Sequence, residues 1–202
     1  MKKTIIAIIF FLVIAALVIM PCYEKWQREE IEKLESYVAH LKEETVPLKF
    51  VIRERKNNRL KVDIKFYNLK GETIDRTRVE LQGHDLSVDF YMVRVKDRFL
   101  AFPYKVFTET MKPKNGVLLT SYYDKNGFPQ IFYSDDIKKE ERNALITIFS
   151  DLKDGKRNFE DNEFGNLIHD IKNLGSFKIG YVYKVVAHTK GGIEVILDTG
   201  VE

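Results

Sequence analysis

The stretch RLKVDIKFY, residues 59–67, constrains the fold more than any other segment of this chain. In an extended backbone, Leu60, Val62, Ile64 and Phe66 fall on one side and Lys61, Asp63, Lys65 and Tyr67 on the other. A strand with one dry and one wet face belongs in an antiparallel sheet that covers a core on one side only. The same period of two recurs downstream. Val79 and Leu81 mark a further strand that ends at Gln82-Gly83-His84-Asp85. Leu86, Val88, Phe90 and Met92 mark the next, and there the parity slips, because Val93 and Val95 are apolar on the opposite face. A bulge near Met92, or a strand buried on both faces, removes that conflict. RFLAF follows and stops at Pro103.

The second half is mixed. Ser134-Asp135-Asp136 reads as a helix cap, with Ala144, Leu145, Ile148, Phe149 and Leu152 as one apolar face and Gly155 as the exit. KDGKRNFEDNEFG reads as a polar loop, and NLIHDIKNL as a shorter helix between Gly165 and Gly175. FKIGYVYKVVAH and GIEVILD, joined across Thr189 to Gly192, form a predicted hairpin.

Before all of this stands an apolar run from Ile5 to Met20, preceded by Lys2 and Lys3. Sixteen helical residues at ~1.5 Å each span roughly 24 Å, and Pro21 to Tyr23 bring the length close to a bilayer core. The residues after the run are bulky, where signal peptidase needs small ones. The segment is therefore expected to persist as a single transmembrane helix. Ile5, Phe10, Phe11, Leu17 and Met20 would lie in lipid, and Trp26 at the interface. The alternatives are lipidation at Cys22, with Pro21 standing where a small residue is wanted, and ordinary cleavage. Lys2 and Lys3 orient the amino terminus toward the cytoplasm and place the body outside the cytoplasmic membrane of a bacterial cell.

Residues 23–45 read as a helical spacer closed by Pro47. Ile31, Leu34, Val38 and Leu41 form a short a/d seam over 31–41, suited to packing on the chain's own domain or to self-association or a protein partner. The expected architecture is thus α+β: an anchor over 1–22, the spacer, and a domain over 46–202. That domain comprises a strand-rich part (48–133), a helical part (134–174) and a C-terminal hairpin (177–199), with a mostly antiparallel sheet.

Charge is nearly balanced at +3, yet unevenly spread. Residues 46–115 carry sixteen basic and nine acidic side chains, a local excess of +7. Such a bias suits either anionic headgroups and envelope polymers or the wet faces and edges of strands. A near-neutral exported domain argues against nucleic acid as a partner, and leaves the bilayer as the expected one.

Chemistry-bearing motifs are sparse. His40, His84, His169 and His188 are widely separated, and one cysteine permits no internal disulfide. No HExxH, CxxC, phosphate loop or nucleophile elbow occurs, so no cofactor, metal or catalytic residue is assigned. His84-Asp85 reads as a turn, and YYDKNG as a turn rather than a calcium loop, because Tyr122 and Tyr133 fall where the loop's first and last ligands would be. Aromatic density is the remaining signal. Phe102, Tyr104, Tyr122, Tyr123, Phe128 and Tyr133 either fill a core or line a groove for peptide, lipid or glycan. These features point to a non-enzymatic, membrane-anchored binding or scaffold module of the cell envelope. The alternatives are a lipid- or glycolipid-handling β domain of an envelope transport system, and a hydrolase assembled from dispersed residues.

Overall fold

A computed structural model describes residues 25, 28–29, 32–35, 44–95, 98–154, 166–170 and 177–199. The predicted anchor residues Ile5, Phe10, Phe11, Leu17, Met20 and Trp26 lie outside them, as do Ile31, Val38 and Leu41 of the seam and the 155–165 loop. Among the described residues, no helix is long and apolar enough to cross a membrane.

Among the described residues, the fold is built of antiparallel sheets with one long helix. In chain order the main strands are β1 (Glu44–Lys56), β2 (Arg59–Tyr67), β3 (Thr73–Gln82), β4 (Leu86–Val95) and β5 (Arg98–Thr108). Short pairs follow: β6 (Val117–Leu118), β7 (Asp124–Lys125) and β8 (Phe128–Pro129). Helix α1 (Lys139–Asp154) precedes β9 (Asn166–Asp170), β10 (Val182–His188) and β11 (Ile193–Leu197). One sheet has the order β11-β10-β1-β2-β3, a second β6-β5-β4-β9, and β7 pairs with β8.

Turn chemistry sets the hairpins. Asn57 and Asn58 both have positive φ, the geometry that joins two right-twisted strands through two residues, here β1 and β2. Asn126-Gly127 does the same between β7 and β8, and Gly191-Gly192 turns β10 into β11. The alternation in 59–67 is realised as expected, with Leu60, Val62, Ile64 and Phe66 buried and their neighbours facing water. Those four join Leu48, Phe50 and Ile52 of β1 in a core that also takes in β4, β5 and α1. Leu34, in the helical residues 32–35, is buried in the same cluster.

Helix α1 buries Ala144, Leu145, Ile148, Phe149 and Leu152, the face its spacing predicts. It starts at Lys139 rather than directly after Ser134-Asp135-Asp136. The entry is fixed by Glu141, whose Oε2 accepts the Lys138 N–H at 3.0 Å, the return half of a capping box.

Three expectations need correction. Pro47 does not close a helix: β1 begins at Glu44, and the register shift between Thr45 and Leu48 accommodates the proline inside the strand. The irregularity in β4 lies between Asp89 and Phe90, where β5 carries Tyr104 as the extra residue, not near Met92. Beyond it β4 is buried on both parities, since Phe90, Met92, Val93 and Val95 are all inside. Finally, 166–170 is strand β9, not helix. Its apolar pattern fits either form, and antiparallel pairing with β4, Phe90 opposite His169, satisfies a row of backbone groups that a helix would leave open.

Candidate functional site

Two adjoining concavities lie on the outer side of the five-stranded sheet, and both are lined by Lys49 and Tyr67. The larger, about 800 Å³, is walled by the start of β1, the turn between β2 and β3, the segment leading into α1, and Lys184 with Asp198. The smaller, about 590 Å³, sits over the middle of the sheet.

The turn wall is held rigidly. Asn68 Oδ1 accepts the N–H groups of Lys70 (3.0 Å) and Glu72 (2.9 Å), and Gly71 takes the positive φ that closes the turn. Lys70 Nζ lies 3.0 Å from both Glu72 Oε1 and Asp135 Oδ2, tying this turn to the segment before α1. The hydrogen bond to Asp135, then the one to Glu72, raises the Lys70 pKa above the ordinary lysine value. Leu69 N–H adds a backbone bond to Tyr133 O at 3.3 Å. At the junction of the two concavities, Lys49 Nζ lies 2.7 Å from Asp198 Oδ2. The same ammonium stands 5.3 Å from the Tyr67 ring centre, within reach of the aromatic face.

Charge on the outer face is arranged by cross-strand register. Over β2 and β3, Asp63 stands opposite Arg78, and Lys61 opposite Glu80. Asp63 accepts hydrogen bonds from Arg78 Nε at 2.6 Å and from Arg53 Nε at 2.7 Å. The bond from Arg78 leads in lowering the Asp63 pKa to about 2, because both partners favour the charged carboxylate. Lys61 Nζ donates to Glu54 at 2.9 Å. Two places differ: Lys56 stands opposite Arg59 at the β1–β2 turn, and Lys184, Lys49, Lys65 and Arg76 stand directly opposite one another across β10, β1, β2 and β3.

The six aromatic residues singled out from sequence do not line either concavity; Tyr67 lines both, and Phe50 lines the smaller. Phe102, Tyr123 and Phe128 are buried in the core, with Tyr122 and Tyr133 packed against it and Tyr104 half-buried beside Tyr91. Phe102 meets Phe132 edge-on at 4.9 Å, and the Tyr123 hydroxyl donates to Pro103 O at 2.6 Å. The interior between the sheets is thus filled by side chains from both.

His84 and Asp85 form the β3–β4 turn, where their backbone N–H groups donate to the Glu109 carboxylate. His188 lies 3.0 Å from Glu194 Oε1 at the end of β10. His169 and Asp170 are placed in β9, opposite Phe90 and Asp89. Among the described residues, no group of three or more His, Cys, Asp or Glu side chains is arranged to hold a metal ion.

Sequence reasoning missed the cation row. The basic excess over 46–115 and the wet parity of 59–67 were its only signals, and neither says which strands are neighbours. Comparison with protein-family models, with curated proteins and with solved structures finds no match to this chain.

Proposed function

We propose that this chain is a membrane-tethered binding module of the cell envelope, engaging its ligand on the outer side of the five-stranded sheet. The run 5–20 is the tether in this reading, and the folded body lies outside the cytoplasmic membrane. One observation carries the proposal: two concavities of about 800 and 590 Å³ meet at Lys49 and Tyr67 on an exposed sheet face. Their walls are held by hydrogen bonds and ion pairs, so little side-chain freedom is left to be lost on binding.

The test has two arms. A cysteine introduced by Asn115→Cys, in a Cys22→Ser chain, is expected to react with a membrane-impermeant reagent in intact cells. A photo-crosslinking residue at Tyr67 is expected to capture a reproducible species there, lipid included, that the same residue at exposed Asn143 on α1 does not. Protection of position 115 overturns the orientation, and equal capture at 67 and 143 overturns the site.

A further inference from the structure

Like charges placed directly opposite in a sheet destabilise it, and most of this face avoids them. Arg59, directly opposite Lys56, reaches diagonally to Glu80 at 3.2 Å, Lys61 faces Glu54, and Asp63 is shared by Arg53 and Arg78. The row Lys184–Lys49–Lys65–Arg76 is built the other way, four cations on four neighbouring strands. Asp198 answers Lys49. In the hollow over the sheet, Lys49, Arg53, Lys65, Arg76 and Arg78 converge with Asp63 as the one carboxylate among its lining residues.

The same face carries aliphatic groups at its open edge. Ile196 of the edge strand β11 pairs with Lys184, and Val182 pairs with Val51, which places both on the cationic side. Ile196 and Val182 are 38% and 39% exposed, and Ile179 and Tyr181, in the turn entering β10, about half. Lys178 lies over the Tyr181 ring at 5.7 Å, its ammonium set beside the aromatic face.

We infer that the cationic row and its aliphatic edge form a surface for anionic lipid headgroups, so that the domain rests with this sheet face against the bilayer. The inference deepens the proposed function and rests on its tether. A soluble polyanion would be served by the cations alone, whereas the headgroup boundary of a membrane takes charge and aliphatic groups together. Reach is no obstacle. Leu34 is already packed in the core, and the segment from Met20 to Leu34 spans roughly 21 Å if helical and roughly 48 Å if extended. The domain therefore stays close to the surface that its tether enters.

The test uses the full chain carrying Cys22→Ser and Val51→Cys, with an environment-sensitive fluorophore on position 51 in the hollow. It is reconstituted into vesicles of phosphatidylcholine alone or with phosphatidylglycerol added. With phosphatidylglycerol the fluorophore is expected to shift to the blue and become shielded from iodide, and high ionic strength reverses both changes. Lys65→Gln and Arg76→Gln each lower the ratio of shielded to exposed protein about fivefold, Lys65→Arg restores it, and Lys61→Gln, a residue already paired with Glu54, leaves it within about twofold. Circular dichroism confirms that each variant is folded. Equal shielding in the two vesicle types overturns the inference. So does equal loss from Lys61→Gln and Lys65→Gln, or full shielding by soluble polyphosphate on phosphatidylcholine vesicles. Salt-resistant flotation on phosphatidylcholine reports the tether by itself. If flotation is lost, the tether reading fails, while added phosphatidylglycerol vesicles still test the face.

Discussion

Replacing Gly83 by alanine strikes the point where β3 turns into β4 beside the end of β5. Gly83 has φ +121°, and its N–H donates to Asn58 O at 3.0 Å. A Cβ built there stands 2.5 Å from Thr108 Oγ1, 2.7 Å from Thr108 Cβ and 2.8 Å from Thr110 Oγ1. Both hydroxyls donate to the Gln82 carbonyl, and Thr108 is fully buried, so neither side chain can swing away without abandoning that bond. Two costs add. The backbone conformation belongs to glycine and strains alanine by about 1–3 kcal/mol. The overlap in a packed site costs a further ~1–3 kcal/mol. Gly83→Ala should therefore lose about 4 kcal/mol, a large share of the ~5–15 kcal/mol of a typical domain. Urea unfolding of the full chain in neutral detergent, followed by circular dichroism, measures it. Thr108→Gly in the alanine background removes both Thr108 atoms that crowd the new Cβ. It should recover about 1–2 kcal/mol as a coupling energy in a double-mutant cycle, whereas Thr108→Ser recovers none. A loss below about 1 kcal/mol for Gly83→Ala, or zero coupling with Thr108→Gly, would refute this account of the turn.

Further outcomes follow from single contacts. Tyr123→Phe removes the buried hydroxyl that donates to Pro103 O and should cost about 1–3 kcal/mol in the same unfolding assay. Burial raises the Tyr123 pKa well above the ordinary phenol value, so the protonated phenol stabilises the fold fully below the unfolded tyrosine pKa and less as pH rises. Absorbance titration should show a tyrosine that ionises only as the protein unfolds. Asp63, held at a pKa of about 2 by Arg78 and Arg53, contributes stability above its unfolded pKa and loses it as pH falls toward the folded value. Asp63→Asn should remove that part of the acid dependence in urea titrations run from mildly to strongly acidic pH, and an unchanged acid profile would count against it. Asn57, at φ 53° in the β1–β2 turn, occupies a left-handed conformation that alanine resists. Asn57→Ala should cost about 1 kcal/mol, whereas Arg59→Ala two positions on, at an exposed ion pair, should cost less.

Much of the fold is legible where a local rule acts alone. The parity of 59–67, the Asn-Gly and Gly-Gly turns and the apolar face of α1 each follow from side chains a few residues apart. Segment 166–170 is misread because its periodicity suits two conformations, and only the free edge of β4 selects one. Pro47 is misread for a related reason: proline ends a helix, but at a strand irregularity its missing N–H removes nothing the ladder requires. The aromatic stretch from Phe99 to Tyr133 is visible as a cluster, yet its division into buried and half-buried members depends on β5, α1 and the turns between them.

The sequence by itself determines that residues 59–67 present Lys61, Asp63, Lys65 and Tyr67 to water, because alternation along a strand is a property of the backbone. It also determines that an apolar run precedes the domain and that basic residues collect over 46–115. Only the tertiary structure decides that Lys65 lies between Lys49 and Arg76, with Lys184 beyond. β10 reaches β1 from the far end of the chain, and strand order is set by which edges remain open once the hairpins have formed. A surface made by register across four strands has no trace in any one of them, because each contributes a single cation.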